Sequence, residues 1–237
     1  MLFQHSGEIW RDFPELVPGI MFVEGITPDV SVAARTARFT AAARSRLAEG
    51  AEGEMPEIQA WRRAFSRMGL RPTQYRCAAE SLLRRFRKEG ALPSLHPLVD
   101  LCNAVSLAFA IPVAVFDVAE VAGDLEVRYA VGDEEYLTFS SDVEHPQPGE
   151  VIFADQARQA HARRWTNRQS GRSAVRDSTT AALIVAEAMH ATALADMKEL
   201  LAAVAEELAA VWSAAPAVSV LSPSSPGYAF TTLGPRA

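Results

Sequence analysis

The chain has 237 residues, 49% of them apolar and 22% charged, with a net charge of −6. That length holds one large domain or two small ones with a sizeable core, and the balance is that of an ordinary soluble globular protein. The acidic balance argues against a dedicated nucleic-acid coat protein, and no apolar run approaches the roughly 20 residues needed to cross a bilayer.

Val17–Ile26, apolar and β-branched, reads as a strand closed by Gly25 and Pro28. Ser31 is placed to cap a helix over Val32–Leu47, and Pro56 to open one over Glu57–Met68 that Gly69 ends. Past the Arg71-Pro72 break, a basic helix starts near Thr73 and runs to Glu89, where Gly90 stops it. Pro97 suits the first turn of a helix over Leu98–Ala110, which Pro112 prevents from continuing. Val113–Val118 then reads as a short buried strand.

Period-two alternation follows in Leu125–Val131, with further strands over Tyr136–Phe139, Glu150–Ala154 and Arg163–Thr166. Asp177 or Ser178 caps a helix over Thr179–His190, and Leu194–Trp212 is strongly helical. Val218–Leu221 reads as a returning strand, and Ser222–Ala237, rich in Pro, Ser and Gly, as a loose tail. Helices, then strands, then helices predict an α+β fold in one domain over residues 1–221, with a central β-sheet flanked by helices.

The five histidines (His5, His96, His145, His161, His190) are scattered, without HExxH or CxxC spacing, and there is no Gly-rich phosphate loop and no GxSxG elbow. Neither a metal nor another cofactor is expected. No secretory segment follows Met1, so a reducing cytoplasm is the expected setting, with Cys77 and Cys102 as free, inert buried thiols.

Charge is unevenly placed. Nine basic residues stand between Arg62 and Lys88 against one acid, Glu80, and six arginines stand between Asp155 and Asp177. Arginine suits phosphate through its planar fork, while solvated helix faces explain the same windows equally well.

Asp100, Asn103 and Asp117 interrupt the apolar stretch Leu92–Asp117. Burying an unpaired polar group costs roughly 1–3 kcal/mol, so the three must meet each other, a backbone group or a ligand. A second set, Arg163-Arg164-Trp165-Thr166-Asn167-Arg168-Gln169-Ser170, combines a flat ring, two amides and a guanidinium fork. It fits an adenosine or a phosphate backbone, and fits as well a strand with a core Trp.

In order and spacing these pieces resemble a known family. Arg71-Pro72-Thr73, Glu80-Ser81-Leu82-Leu83-Arg84-Arg85, Leu92-Pro93, Pro97 to Asn103, and Pro112 with Phe116-Asp117 resemble the B3/B4 domain of the phenylalanyl-tRNA synthetase β subunit, most closely its freestanding members. Gly149–Asp155 matches the family's GE-[VI]-X-[FY]-AD strand, Arg163–Ser170 its RRW-X-X-R-X-S stretch, and Thr179 onward a Thr-initiated helix. The resemblance covers residues 15–215.

It implies an α+β fold with a cleft between a sheet and helices, and an editing reaction: hydrolysis by water of the ester joining a wrong amino acid to tRNA. Positioning the terminal adenosine and polarising the carbonyl would supply most of the acceleration, without metal or cofactor. The implied pocket is Asn103, Asp117, Trp165, Asn167 and Arg168, with His96 beside it and Asp100 structural. Arg84, Arg85, Arg163, Arg164 and Arg172 are the implied contacts to tRNA phosphates; no DNA and no membrane partner is implied.

One departure stands out. The synthetase domain carries a His in the segment equivalent to Pro112–Asp117, where this chain has Ala114, so its amino-acid specificity does not carry over. A non-catalytic tRNA- or RNA-binding module, and a hydrolase of small amino-acid esters or amides, are the two other readings.

Overall fold

The computed structural model describes residues 1–231. In chain order the elements are β1 (Leu2–His5), α1 (Gly7–Asp12), β2 (Val17–Glu24), α2 (Ala33–Glu49), α3 (Pro56–Arg67), α4 (Ala78–Glu89), α5 (Pro97–Phe109), β3 (Val113–Asp117) and β4 (Leu125–Tyr129). There follow β5 (Tyr136–Leu137), β6 (Val143–Glu144), β7 (Val151–Asp155), β8 (Ala160–Arg163), β9 (Arg168–Gln169), β10 (Ala181–Ala188), α6 (Ala193–Trp212), β11 (Ala217–Val220) and β12 (Gly227–Ala229). The class is α+β. The strands form two principal sheets rather than one, in the orders β12-β1-β4-β7-β8-β9 and β11-β2-β10-β3, with β5-β6 as a separate hairpin.

Two hydrophobic cores flank the four-stranded sheet, and β10 feeds both. Side chains alternate across a strand, so Leu183 and Val185 enter the core shared with the six-stranded sheet, α3 and α4. Ala182, Ile184 and Ala186 enter the core under α5 and α6. Glu187 has the parity of Leu183 and Val185 and therefore points toward the first core.

The helix expected over Thr179–His190 is this strand. Ala, Leu, Glu and Met are strong helix formers, yet the run is buried on both faces and pairs with β2 over eight residues and with β3 over five. A central strand needs continuous apolarity, which carries no period to betray it.

The loose tail is also corrected. Gly227–Ala229 pairs antiparallel with β1, and Phe230 stacks on Phe22 with ring centroids 4.5 Å apart. Residues 232–237 of the expected tail lie outside the described residues. Of the strand expected over Arg163–Thr166, Arg163 ends β8 and Arg164 to Thr166 belong to the turn that joins β8 to β9. Among the described residues no helix is long and apolar enough to cross a membrane. Cys77 and Cys102 are free and buried, and burial pushes both thiols up to about 12.

Candidate functional site

The two sheets meet where β3, the edge of one, faces β8 and β9, the end of the other. Gln169 Nε2 donates to Val115 O at 2.6 Å, and Asp117 N to Ser173 O at 3.0 Å, across the seam. Between these sheets lies a cavity of about 60 Å³, walled by Pro112, Ala114, Phe153, Trp165, Thr166, Asn167, Arg168, Gln169 and Glu187 among others. It is far smaller than a drug-sized pocket of roughly 300 Å³ or more.

The turn Arg164–Asn167 forms one wall. Arg164 and Trp165 hold φ of 46° and 58°, the left-handed region that costs a non-glycine residue roughly 1 kcal/mol or more and that gathers at functional sites. The surroundings fix it. Trp165 N donates to Val151 O (2.7 Å), Arg164 N to Glu150 Oε1 (3.1 Å), Ala78 N to Thr166 O (2.8 Å) and Asn167 Nδ2 to Arg76 O (2.7 Å).

Glu187 is the other decisive group, nearly fully buried. Its Oε1 accepts from Trp165 Nε1 at 2.9 Å and lies 2.7 Å from His5 Nε2, while its main-chain oxygen accepts from Trp61 Nε1 at 3.2 Å. Among the described residues Oε2 has no partner. Thr166 Oγ1, on the same cavity, is buried and equally without one. An apolar cavity lined by residues that leave an acceptor and a hydroxyl unpaired has the chemistry to receive a polar ligand atom.

A shallower depression of about 440 Å³ adjoins the cavity and shares Arg168 and Gln169 with it; Tyr136, Thr138, Phe139 and Ser140 complete its lining. A third space of about 480 Å³ lies elsewhere, between α2 and the start of α5, against Arg44, Phe86, Asp100 and Asn103.

Three of the residues picked from the sequence, Trp165, Asn167 and Arg168, line the cavity. Trp165 is not a stacking platform, however: its ring is fully buried and packed edge-on against Phe13 and Trp61. Asn103 lines the separate 480 Å³ groove. Asp117 is buried and satisfied internally, accepting from Thr179 Oγ1 (2.6 Å) and Ala119 N (3.0 Å). His96 caps α5, its Nδ1 accepting from Leu98 N at 3.2 Å, and burial holds its ring below the usual histidine range.

The basic windows are mostly neutralised. Glu80 pairs with Arg62 and Arg76, Glu52 with Arg84 and Arg87, and Glu89 with Arg85. Arg163 is buried between Glu144 (2.5 Å) and Glu150 (2.8 Å), so it is a core ion pair rather than a phosphate contact. Arg168 pairs with Glu144 over the Tyr136 ring. Of the five arginines expected on phosphates, only the guanidinium groups of Arg164, stacked on Tyr75, and of Arg172 pair with no carboxylate among the described residues.

Two clusters separated in sequence come together. Glu57, His190 and Asp196 place ligand-type atoms within 4.8 Å of one another, but Arg46 already holds both oxygens of Glu57 at 2.8 Å. Ser173 Oγ, His161 and Asp155 form a chain of 2.8 and 3.1 Å. All three are buried, and Asp155 also binds the amides of Ala122, Ala157 and Gln159, so the chain braces the sheet.

The family profile described as B3/4 domain matches residues 60–207. The chain belongs to the B3/4 domain family. Its matched segment carries every cavity residue named above. His5, which holds Glu187, lies outside it.

Curated relatives are phenylalanine–tRNA ligase β subunits. That of Cereibacter sphaeroides is 34% identical over 76 residues, which is 32% of this chain and 9% of the subunit. That of Shewanella oneidensis is 39% identical over 75 residues, 31% of this chain and again 9% of the subunit. A solved N-terminal fragment of the Pyrococcus horikoshii phenylalanyl-tRNA synthetase β subunit matches with a TM-score of 0.45 at 9% identity, covering 90% of this chain and 49% of that one.

The sequence reading missed Glu187 and His5. The available signal was the single acid in the otherwise apolar run Ala181–Met189, hidden by the helix assigned there.

Proposed function

We propose that this B3/4 protein is a deacylase that hydrolyses the ester between a mischarged, short side-chain amino acid and tRNA. The observation that carries the reading is the unpartnered oxygen of Glu187, a residue that lines a cavity of about 60 Å³. That oxygen accepts a hydrogen bond from the amino-acid moiety, and Thr166 Oγ1 supplies a second polar contact. Water attacks the ester carbonyl, the bond to the ribose oxygen breaks, and the proton passes to that oxygen. An ester is already activated, so fixing its geometry supplies much of the acceleration.

The small volume restricts the side chain, and Ala114 leaves room where a larger residue would fill it. Each methylene too many or too few shifts selection by roughly 1–3 kcal/mol. A panel of aminoacyl-tRNAs incubated with the purified protein tests the proposal. Release of small amino acids is expected; no release from any member overturns it.

A second reading, hydrolysis of small amino-acid esters without tRNA, is favoured by the acids that neutralise Arg62, Arg76, Arg84 and Arg163. Activity on free esters that ignores salt, with none on tRNA, selects it.

A further inference from the structure

We infer that Phe139 is a base-stacking platform for the terminal nucleoside of an RNA 3′ end, an inference that rests on the aminoacyl-tRNA reading above. Phe139 is 73% exposed, the most exposed of the large apolar residues described. It stands at the tip of the β5–β6 hairpin and lines the 440 Å³ depression that shares Arg168 and Gln169 with the Glu187 cavity. With an amino acid in the cavity, its ribose lies at the mouth beside Arg168 and Gln169. The base then falls onto the depression, with Phe139 as its flat apolar surface and Thr138, Ser140 and Gln169 as polar neighbours.

The platform is held in place before any ligand arrives. Thr138 N donates to Asp142 O (2.9 Å), Asp142 N to Thr138 Oγ1 (3.0 Å) and Ser140 Oγ to Asp142 Oδ2 (2.8 Å), closing the tip on itself. Gly171 N and Ser170 Oγ both donate to Leu137 O at 2.9 Å and tie the hairpin to the end of β9. A Cβ at Gly171 would lie 2.8 Å from Thr138 O, so only glycine allows the hairpin this close. A backbone ordered in advance leaves only the ring's own rotations to be lost on stacking. Among the described residues Phe139 joins no strand pairing and no core cluster, whereas stacking is sequence-tolerant and suits a terminus common to all tRNAs.

The test is a thermodynamic cycle between the protein and the RNA end. A tRNA transcript ending in CCA and the same transcript ending in CC are each titrated against wild type, Phe139→Ala and Phe139→Trp, with thermal melting to confirm folding. Removing one stacked base from an aromatic partner weakens binding roughly 10-fold or more. Phe139→Ala is expected to lose that factor on the CCA transcript and nothing on the CC transcript, and Phe139→Trp to keep it. Equal losses on both transcripts, no loss on either, or no measurable tRNA binding by the wild type overturns the inference. Absence of deacylation with the cycle intact removes the hydrolase reading and leaves the platform standing.

Discussion

Replacing Glu187 separates the architecture of the cavity from its chemistry. Oε1 accepts from Trp165 Nε1 at 2.9 Å and sits 2.7 Å from His5 Nε2, with all three residues buried. Glu187→Ala leaves two buried nitrogens without an acceptor, at about 1–3 kcal/mol each, besides the void it opens. The resulting loss of about 2–6 kcal/mol corresponds to a fall in Tm of roughly 5–20 °C for a chain of this size. Glu187→Gln keeps an oxygen for the same two bonds and nearly the same volume, so its Tm falls by only about 2–3 °C.

Activity divides the variants differently. A hydrogen bond to a carboxylate contributes about 1.5–3 kcal/mol, so under the proposed deacylase function converting it to an amide is expected to lower kcat/KM roughly 10- to 100-fold. Thermal unfolding followed by circular dichroism, and deacylation kinetics on the preferred substrate, measure the two effects. An alanine variant that melts with the wild type refutes the bonding account. A glutamine variant with wild-type kcat/KM refutes the assignment of the free oxygen to substrate.

Burial pushes the Asp155 carboxyl up, but bonds from His161 and the amides of Ala122 and Gln159 outweigh it and hold the group below its usual range. A carboxyl held low in the fold stabilises above its unfolded value near pH ~4 and loses that contribution as pH falls through the folded value. Wild-type Tm should therefore drop below about pH 4, and Asp155→Ala should start lower and drop less steeply; parallel curves refute this. Gly19 lets α6 approach β2: an added Cβ would lie 2.3 Å from Met197 Sδ and 2.9 Å from Leu201 Cδ1. Gly19→Ala is expected to cost about 1–3 kcal/mol in urea unfolding. Arg163→Ala strands the buried Glu150 and should cost about 3–5 kcal/mol. Arg164→Ala should leave urea unfolding near wild type, weaken tRNA binding and flatten its salt slope by about one. Ala114→Leu fills the cavity and should abolish deacylation of every amino acid on the panel while Tm changes little; retained activity places the substrate elsewhere.

Local signals in this chain were legible and long-range ones were not. Pro56 and Pro97 do sit in the first turns of α3 and α5, and Gly90 closes α4 at φ +78°, because each fixes its own backbone. The ends of α6 also fall within a residue of expectation, its run of strong helix formers being long enough to mark them. Failure came where partners are distant. Arg84 and Arg87 read as free cations until Glu52, more than 30 residues earlier, is folded between them. Strand β10 finds β2 some 160 residues away, and only that pairing separates it from a helix of the same composition.

The rule that a polar residue in an apolar stretch marks a site selected Asp117 and overlooked Glu187, and the reason lies in counting lone pairs. Asp117 has both carboxylate oxygens engaged, by Ala119 N and by Thr179 Oγ1. Asp155 likewise spends Oδ1 on Ala157 and Gln159 and Oδ2 on Ala122 and His161. Both are buried acids in apolar surroundings, and both are closed. Glu187, which lines the cavity, accepts twice through one oxygen and leaves the other without a partner among the described residues. A sequence can show that an acid is out of place; only the fold shows whether the protein has already answered for it. By that measure Glu187 offers a ligand one carboxylate oxygen with no protein partner among the described residues, beside a strained turn.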